Sequence, residues 1–167
     1  MSASIRPPTP RPCDSCPYRR DVPSGIWAVE EYEKLRRYDV PTPEQPAAVF
    51  LCHQNDRGSE TSRLCSGWLG CHDTHHLLAL RIAALDGTLD TTNLEAAVTY
   101  ETSVPLFATG NEAADHGEAA IAAPGPDAVR FMDKITRVRR DLEDSQPSLA
   151  SSGGAAPPAR AEGAGPR

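Results

Sequence analysis

The 167-residue sequence has no run of apolar residues long enough to span a membrane, and no apolar stretch resembling a secretory signal occurs near its first residue. Aromatic residues make up only 5% of the chain, so its hydrophobic core should be small. The HExxH pattern of zinc proteases and the HxE…PCxxC pattern of zinc deaminases are both absent. We therefore expect a cytoplasmic protein that contacts no membrane, and an enzyme is the less favoured interpretation.

Cysteines, in contrast, are concentrated in one part of the chain. All five lie between residues 13 and 71, and four of the five histidines lie within or just after this region, between residues 53 and 76. Cys13 and Cys16 form a CxxC pair, which places two thiolates on one tight turn, while more distant cysteines can complete a coordination sphere. The odd number argues against a disulfide framework, and the prolines before Cys13 argue against a thioredoxin-like redox motif. The pattern predicts a metal site.

Seven side chains are candidate metal ligands: Cys13, Cys16, Cys52, His53, Cys65, Cys71 and His72. Both histidines among them directly follow a cysteine. Four thiolates suit tetrahedral Zn²⁺, with Cys71 as the alternative to one of the first four cysteines, and the same thiolates could hold an iron–sulfur cluster. The cysteines are dispersed rather than packed into one short loop as in ferredoxins, which favours zinc. His75 and His76 share helical spacing with His72, and we expect them to be peripheral.

Composition divides the chain into five segments. Residues 1–12 form a proline-rich arm, and residues 145–167 contain 18 Ser, Pro, Gly or Ala among 23 residues, so we expect both ends to be disordered. Between them we expect a Cys/His metal-binding domain at 13–100, a loop-rich extension at 101–126 and an amphipathic helix at 127–144.

Hydrophobic periodicity predicts that most of the folded part is helical. We expect a first helix with Ser24 as its N-cap, a second from Cys71 to Leu85, a third beginning near Asn93 and a last one from Asp127 to Leu142. The apolar run at 49–51 predicts a short strand or extended segment. The predicted fold class is a small α+β domain, mostly helical, that is stapled by a metal ion and has disordered N- and C-terminal tails.

Charge constrains the choice among functions. Residues 1–85 carry ten Lys or Arg against ten Asp or Glu, whereas residues 86–167 carry seven against thirteen. The cysteine-rich half therefore lacks the basic excess that nucleic-acid binding requires, and this partner is only weakly supported. The favoured interpretation is a zinc-binding structural or interaction module that docks an unknown protein partner. The alternatives are an iron–sulfur protein with a redox or sensing role, a metal-dependent enzyme, and a nucleic-acid-binding zinc module.

Three motifs, in this order along the chain, resemble those of a known family: Cys13-x-x-Cys16-Pro17-Tyr18-Arg19, Phe50-Leu51-Cys52-His53 and Cys65-Ser66-Gly67-Trp68. They are similar to an uncharacterised family of small bacterial and phage proteins, a domain of unknown function numbered 6283, over roughly residues 13–85. The resemblance implies no activity. It singles out Cys13, Cys16, Cys52, His53 and Cys65, and it implies that the Cys71-His72 pair is an addition of this subgroup.

Overall fold

The computed structural model describes residues 5–55 and 59–139. Within these residues the chain forms six α-helices: α1 (Val29–Arg36), α2 (Ser66–Cys71), α3 (Leu78–Asp86), α4 (Thr91–Val98), α5 (Gly110–Glu118) and α6 (Pro126–Val138). Two single 3₁₀ turns, Thr42–Glu44 and Thr74–His76, precede α2 and α3 respectively. None of the helices in the described part is long and apolar enough to cross a membrane.

Local sequence signals explain several helix ends. The Asp90 side chain caps α4 by accepting a hydrogen bond from Asn93 N, and the Thr109 side chain caps α5 by accepting one from Glu112 N. Gly87 ends α3 in the left-handed conformation, with φ of 75°. The helices expected near Asn93 and after Asp127 are confirmed as α4 and α6, although residues 140–142 of the latter prediction lie outside the described part.

The core joins α1 and α5 to the irregular segment before α1. Tyr32 of α1 is buried against Gly117 of α5, where a β-carbon on the glycine would lie only 2.0 Å from Cε1 of the tyrosine ring. The Tyr32 hydroxyl accepts hydrogen bonds from Ile26 N at 3.1 Å and Trp27 N at 3.2 Å. One tyrosine therefore packs the two helices together and satisfies two buried backbone donors.

The predicted α+β class is wrong, because the described residues contain no strand. Extended segments meet only at three isolated bridges, which pair Arg6 with Arg63, Arg19 with Leu106, and Leu51 with Leu64. Of the two alternatives predicted for 49–51, a short strand or an extended segment, the structure has the extended segment, with a single bridge. A ladder does not grow there, because the chain turns directly after Cys52 and the arm that pairs with Arg63 continues into prolines, which cannot donate to a ladder.

The prediction that a metal ion staples the fold is wrong as well. No group of three or more His, Cys, Asp or Glu side chains in the described residues is arranged to hold a metal ion. The fold instead has an apolar core that runs from Cys16 near the beginning to Ile135 in α6 and includes six buried aromatic side chains: Tyr18, Trp27, Tyr32, Tyr38, Phe50 and Trp68. Burial of such large side chains stabilises a small domain without a staple.

The disordered N-terminal tail is also a wrong prediction for residues 5–12. Arg6 N donates to Ser62 O at 2.9 Å, and Leu64 N donates to Arg6 O at 3.1 Å. The Thr9 and Ser66 hydroxyls hydrogen-bond at 2.9 Å, and Ile5 packs against the core. The arm is held because backbone groups and short polar side chains find partners, which proline content alone does not reveal. The predicted C-terminal tail, residues 145–167, lies outside the described residues.

Two helix predictions are wrong in their limits. Ser24 does not begin a helix: Gly25 has a φ of 82°, and Ser24 Oγ contacts the end of α5, accepting a hydrogen bond from Ala120 N at 3.0 Å. The left-handed conformation at Gly25 interrupts the backbone, so α1 begins only at Val29. The single helix predicted from Cys71 to Leu85 is divided into the end of α2, a 3₁₀ turn and α3.

Candidate functional site

The CxxC pair is built on a local turn that neighbouring side chains hold in place. Cys16 N donates to Cys13 O at 3.0 Å, and Arg19 N donates to Cys16 O at 3.0 Å. The Arg19 guanidinium turns back to donate to Pro12 O at 3.3 Å, and the indole of Trp27 donates to Ser15 O at 3.0 Å. The CxxC-Pro-Tyr-Arg motif therefore encodes two consecutive turns and the arginine that fixes them.

Cys52 and Cys65 are brought together by the bridge between Leu51 and Leu64. Cys52 N donates to Arg63 O at 2.9 Å, and Cys65 N donates to Phe50 O at 2.9 Å. Cys65 also immediately precedes α2, so the first turn of that helix lies beside its thiol. The two short extended segments joined by this bridge therefore position Cys52 and Cys65, which are distant from the CxxC pair in sequence, beside the CxxC turn.

The four thiols interact in succession. The side chain of Cys13 interacts with those of Cys16 and Cys52, and the side chain of Cys16 also interacts with that of Cys65. Hydrogen bonds from Cys16 and Cys52 hold the pKa of Cys13 well below its usual range. The same bonds to Cys13 raise the pKa of Cys16 and of Cys52. The arrangement favours one thiolate stabilised by neighbouring thiols.

Burial adds to the chemical character of this cluster, which we call the thiol cluster (Cys13, Cys16, Cys52 and Cys65). Cys16 and Cys65 are 0% and 2% exposed, and the other two are half-buried. Gly67 in α2 lies directly against Cys16, because a β-carbon there would be 2.2 Å from the sulfur. The sulfurs thus occupy a confined, largely dry volume in which soft, thiophilic ligands are favoured over water.

His53 stands next to the thiol cluster and is 6% exposed. Its Nε2 lies 3.0 Å from Oε2 of Glu31 in an ion-pair contact that falls short of hydrogen-bond geometry, and its Nδ1 is buried without a partner. Burial raises the pKa of Glu31, but its contacts with His53 and Lys34 outweigh burial and hold that pKa well below the usual range. The electrostatic effect of His53 also lowers the pKa of Cys13, and the neighbouring Gln54 donates to the Ser15 hydroxyl of the CxxC turn at 3.0 Å.

The structure places Cys71 and His72 outside the thiol cluster. The Cys71 thiol donates to Phe107 O at 3.3 Å, and burial raises its pKa to about 12. Both ring nitrogens of His72 are engaged: Nδ1 lies 2.7 Å from Trp68 O, and Nε2 lies 3.1 Å from Oδ1 of Asp39. Neither nitrogen of His72 therefore offers a free lone pair to a ligand.

The two remaining histidines of this region are at the surface. His76 Nδ1 lies 2.9 Å from Oδ2 of Asp73, and His75 is exposed. They belong to the 3₁₀ turn between α2 and α3, so they do not share the helix face on which their spacing would have placed them.

A cleft of about 440 Å³ opens beside the thiol cluster. Cys52 and His53 contribute to its wall, Phe50 and Tyr38 supply apolar surface, and the ammonium-bearing Lys34 lies at its edge with Glu31. The cleft gives small solutes a path to the half-buried side of the cluster.

Sequence reasoning did not single out two residues that shape this site. Glu31 is 22 positions from His53 in the chain, and no spacing rule connects a glutamate in the first turn of α1 with a histidine in a later turn. Gly67 belongs to the motif that begins at Cys65, but the motif does not reveal that its missing side chain makes room for the Cys16 sulfur.

The fold and site define a small helical domain built around a buried thiol cluster. Residues 8–139 match a family described as a family of unknown function (DUF6283), and the chain belongs to this family. The match confirms the resemblance carried by the three motifs and extends past residue 85 to include α4, α5 and α6. No curated protein and no solved structure matches the chain.

Proposed function

We propose that this domain binds one zinc ion through the thiol cluster and acts as a metal-binding module rather than as an enzyme. The observation that supports the proposal is the connected set of thiols: four cysteines from three parts of the chain interact in one confined volume. Thiolates are the preferred ligands of Zn²⁺ in closed structural sites.

The electrostatics of the cluster fit a cation that is bound by thiolates. Hydrogen bonds from the neighbouring thiols lower the pKa of Cys13, which favours the thiolate form that a metal ion binds. A dication would replace the thiol protons and stabilise further thiolates, because metal binding to cysteine releases protons. The apolar surroundings of Cys16 and Cys65 would strengthen this attraction.

Binding requires the sulfurs to converge on one point, and they do not yet surround one in the described residues. Each cysteine side chain turns about a single χ1 bond, so the sulfurs can reorient while the backbone stays in place. The core that contains Cys16 and Cys65 is already packed around aromatic side chains, and we propose a metal that is bound by an already folded domain. A site filled by protein sulfurs leaves no open position for a reactive water, which is why a binding role is favoured over hydrolysis.

Metal analysis of the purified full chain tests the proposal. We expect one zinc per chain, and in cobalt-loaded protein the thiolate-to-cobalt charge-transfer bands of a tetrahedral site. The Cys13→Ser and Cys52→Ser variants should lose the metal, whereas Cys71→Ser, at a thiol outside the cluster, should retain it. A brown protein with stoichiometric iron and sulfide would instead support the iron–sulfur alternative. A chain that binds no metal after anaerobic reduction would overturn the proposal.

A further inference from the structure

We infer that Nδ1 of His53 is a direct metal ligand and that Glu31 is the carboxylate that positions it. This inference rests on the proposed metal-binding function and deepens it, because it replaces a site of four sulfurs by one of three sulfurs and a nitrogen. The ligands would be Cys13, Cys16, Cys52 and His53, and Cys65 would remain a thiol.

The first reason is that the His53 ring is held in a fixed orientation. Its centroid lies 5.0 Å from that of Trp27 and 5.1 Å from that of Phe50, so two aromatic rings flank it. Its backbone carbonyl accepts a hydrogen bond at 2.9 Å from Arg139, just beyond the end of α6. A ring that is buried and restrained in this way loses little conformational freedom when it binds a ligand.

The second reason is the state of the two ring nitrogens. Nε2 faces Oε2 of Glu31 at 3.0 Å, and a carboxylate in that position favours the tautomer with its proton on Nε2. Nδ1 then carries a lone pair, and in the structure it is buried with no partner. A buried polar atom without a partner destabilises a fold, so a ligand at Nδ1 would remove a penalty that this domain otherwise bears.

This combination is the usual environment of a metal-binding histidine. Such a histidine donates its other ring N–H to a carboxylate, which fixes the tautomer and increases the basicity of the ligating nitrogen. Glu31 has the position that this role requires, because its Oε2 lies 3.0 Å from Nε2 of His53. His72, by comparison, has both nitrogens occupied by Trp68 and Asp39.

The third reason is the position of His53 relative to the sulfurs. It follows Cys52 directly in the chain, and the next residue, Gln54, donates a hydrogen bond at 3.0 Å to the Ser15 hydroxyl within the CxxC turn. Trp27 connects the His53 ring to the same turn, because its ring centroid lies 5.0 Å from that of His53 and its indole donates to Ser15 O at 3.0 Å. These contacts join His53 to Cys52 and to the CxxC turn, whereas Cys65 is 2% exposed and directly precedes α2. Four-coordinate sites of three cysteines and one histidine are a common zinc arrangement.

The test compares full-length variants loaded with cobalt or zinc. His53→Gln removes the proposed nitrogen ligand, Glu31→Gln removes the positioning carboxylate, and Cys65→Ser removes the thiol that the inference leaves unused. Lys34→Gln controls for the loss of the 2.6 Å ion pair between Lys34 and Glu31, and His75→Gln controls for the loss of an exposed histidine. Circular dichroism establishes that each variant is folded, and competition with a chromogenic chelator gives its zinc affinity.

We expect Glu31→Gln to lower zinc affinity about 10–100-fold. His53→Gln should either lose cobalt or change its spectrum to that of a four-thiolate site, with Cys65 as the fourth ligand. Cys65→Ser, Lys34→Gln and His75→Gln should keep the wild-type spectrum.

If His53→Gln leaves the spectrum and the zinc affinity unchanged while Cys65→Ser loses the metal, the site is made of four thiols. This inference is then wrong, although the proposed function stands. If His53→Gln alters the site but Glu31→Gln does not, Glu31 has no positioning role. A wild-type chain that binds no metal contradicts the proposed function itself.

Discussion

Gly67 and Cys16 are in such close contact that a β-carbon on the glycine would lie 2.2 Å from the cysteine sulfur and 3.0 Å from Cβ of Tyr18. We expect Gly67→Ala to displace the Cys16 thiol. Alanine gains about 1 kcal/mol of helix propensity in α2, but overpacking at a buried site costs about 1–3 kcal/mol, so the net effect should be a loss of stability. Chemical denaturation measures it, and the rate of thiol modification reports the shift of the cluster.

Gly70 supplies the matched control in the same helix. A β-carbon there would meet the Cδ1 atom of Leu106 at 2.7 Å, the end of a flexible side chain that can move aside. Gly70→Ala should therefore cost less than Gly67→Ala and leave the reactivity of Cys16 unchanged. Equal effects of the two substitutions would show that Gly67 serves the helix backbone and not the thiol.

Asp39 connects three parts of the fold, and its loss should be costly. Its carboxylate accepts hydrogen bonds from Gly110 N at 3.0 Å and from Asn111 N, at the beginning of α5, and contacts His72. Hydrogen bonds to a charged group contribute about 1.5–3 kcal/mol each, so Asp39→Ala should lower the free energy of unfolding by at least about 2 kcal/mol.

Asp90, the N-cap of α4, serves as the control residue for the Asp39 substitution. Asp90 is exposed and accepts hydrogen bonds from Asn93 N at 2.7 Å and from the side-chain Nδ2 of the same residue at 3.0 Å, so Asp90→Ala should cost about 1 kcal/mol. Urea denaturation of both variants measures the difference. If Asp39→Ala and Asp90→Ala lower the free energy of unfolding equally, the contacts of Asp39 with α5 and His72 stabilise the fold no more than a single helix cap does.

Removal of residues 1–12 should destabilise the domain. The deletion removes the two backbone hydrogen bonds of Arg6 with Ser62 and Leu64, and the contact between Thr9 and Ser66. At about 1 kcal/mol for each bond the loss is about 2–3 kcal/mol, which lowers Tm by several degrees in a chain of this size. Thermal unfolding followed by circular dichroism measures the change. Removal of residues 145–167 is the comparison, because composition predicts that this segment is dispensable; equal Tm values for both truncated chains would refute the role of the arm.

Cys71 should resist alkylation in the folded protein. Burial raises its pKa to about 12, so at neutral pH almost none of it is the reactive thiolate. Since the folded pKa lies above the usual value, this thiol contributes stability below about pH 9 that is lost as the pH rises toward 12. Mass spectrometry after brief iodoacetamide treatment, with and without guanidinium, compares the folded and unfolded rates. Equal labelling of Cys71 in both states would contradict its burial.

Sequence patterns predicted the parts of this protein that depend on neighbouring residues. The CxxC turn is confirmed, because its hydrogen bonds span only three residues. Helices α4 and α6 carry their own start signals, an aspartate cap and a proline at the first turn. Ser24 misled the prediction because a capping serine and a loop serine look alike, and only the left-handed Gly25 that follows decides between them.

Contacts between distant parts of the chain could not be predicted in the same way. The motifs identified candidate site residues but not the side chains that they contact. The motifs named four cysteines and His53, but the contact of His53 with Glu31 depends on α1 packing beside the Cys52 turn. The pairing of Cys52 with Cys65 depends on one bridge, and the separation of His72 from them depends on Asp39.

The sequence by itself determined family membership, the CxxC turn and the helices that have local start signals, since each depends on residues close together in the chain. The tertiary structure alone decided that no sheet forms in the described part, that Cys71 and His72 lie apart from the thiol cluster, and that Glu31 faces His53. Such contacts follow from how buried surfaces fit together, and close packing depends on the shapes of all neighbours at once rather than on any spacing along the chain.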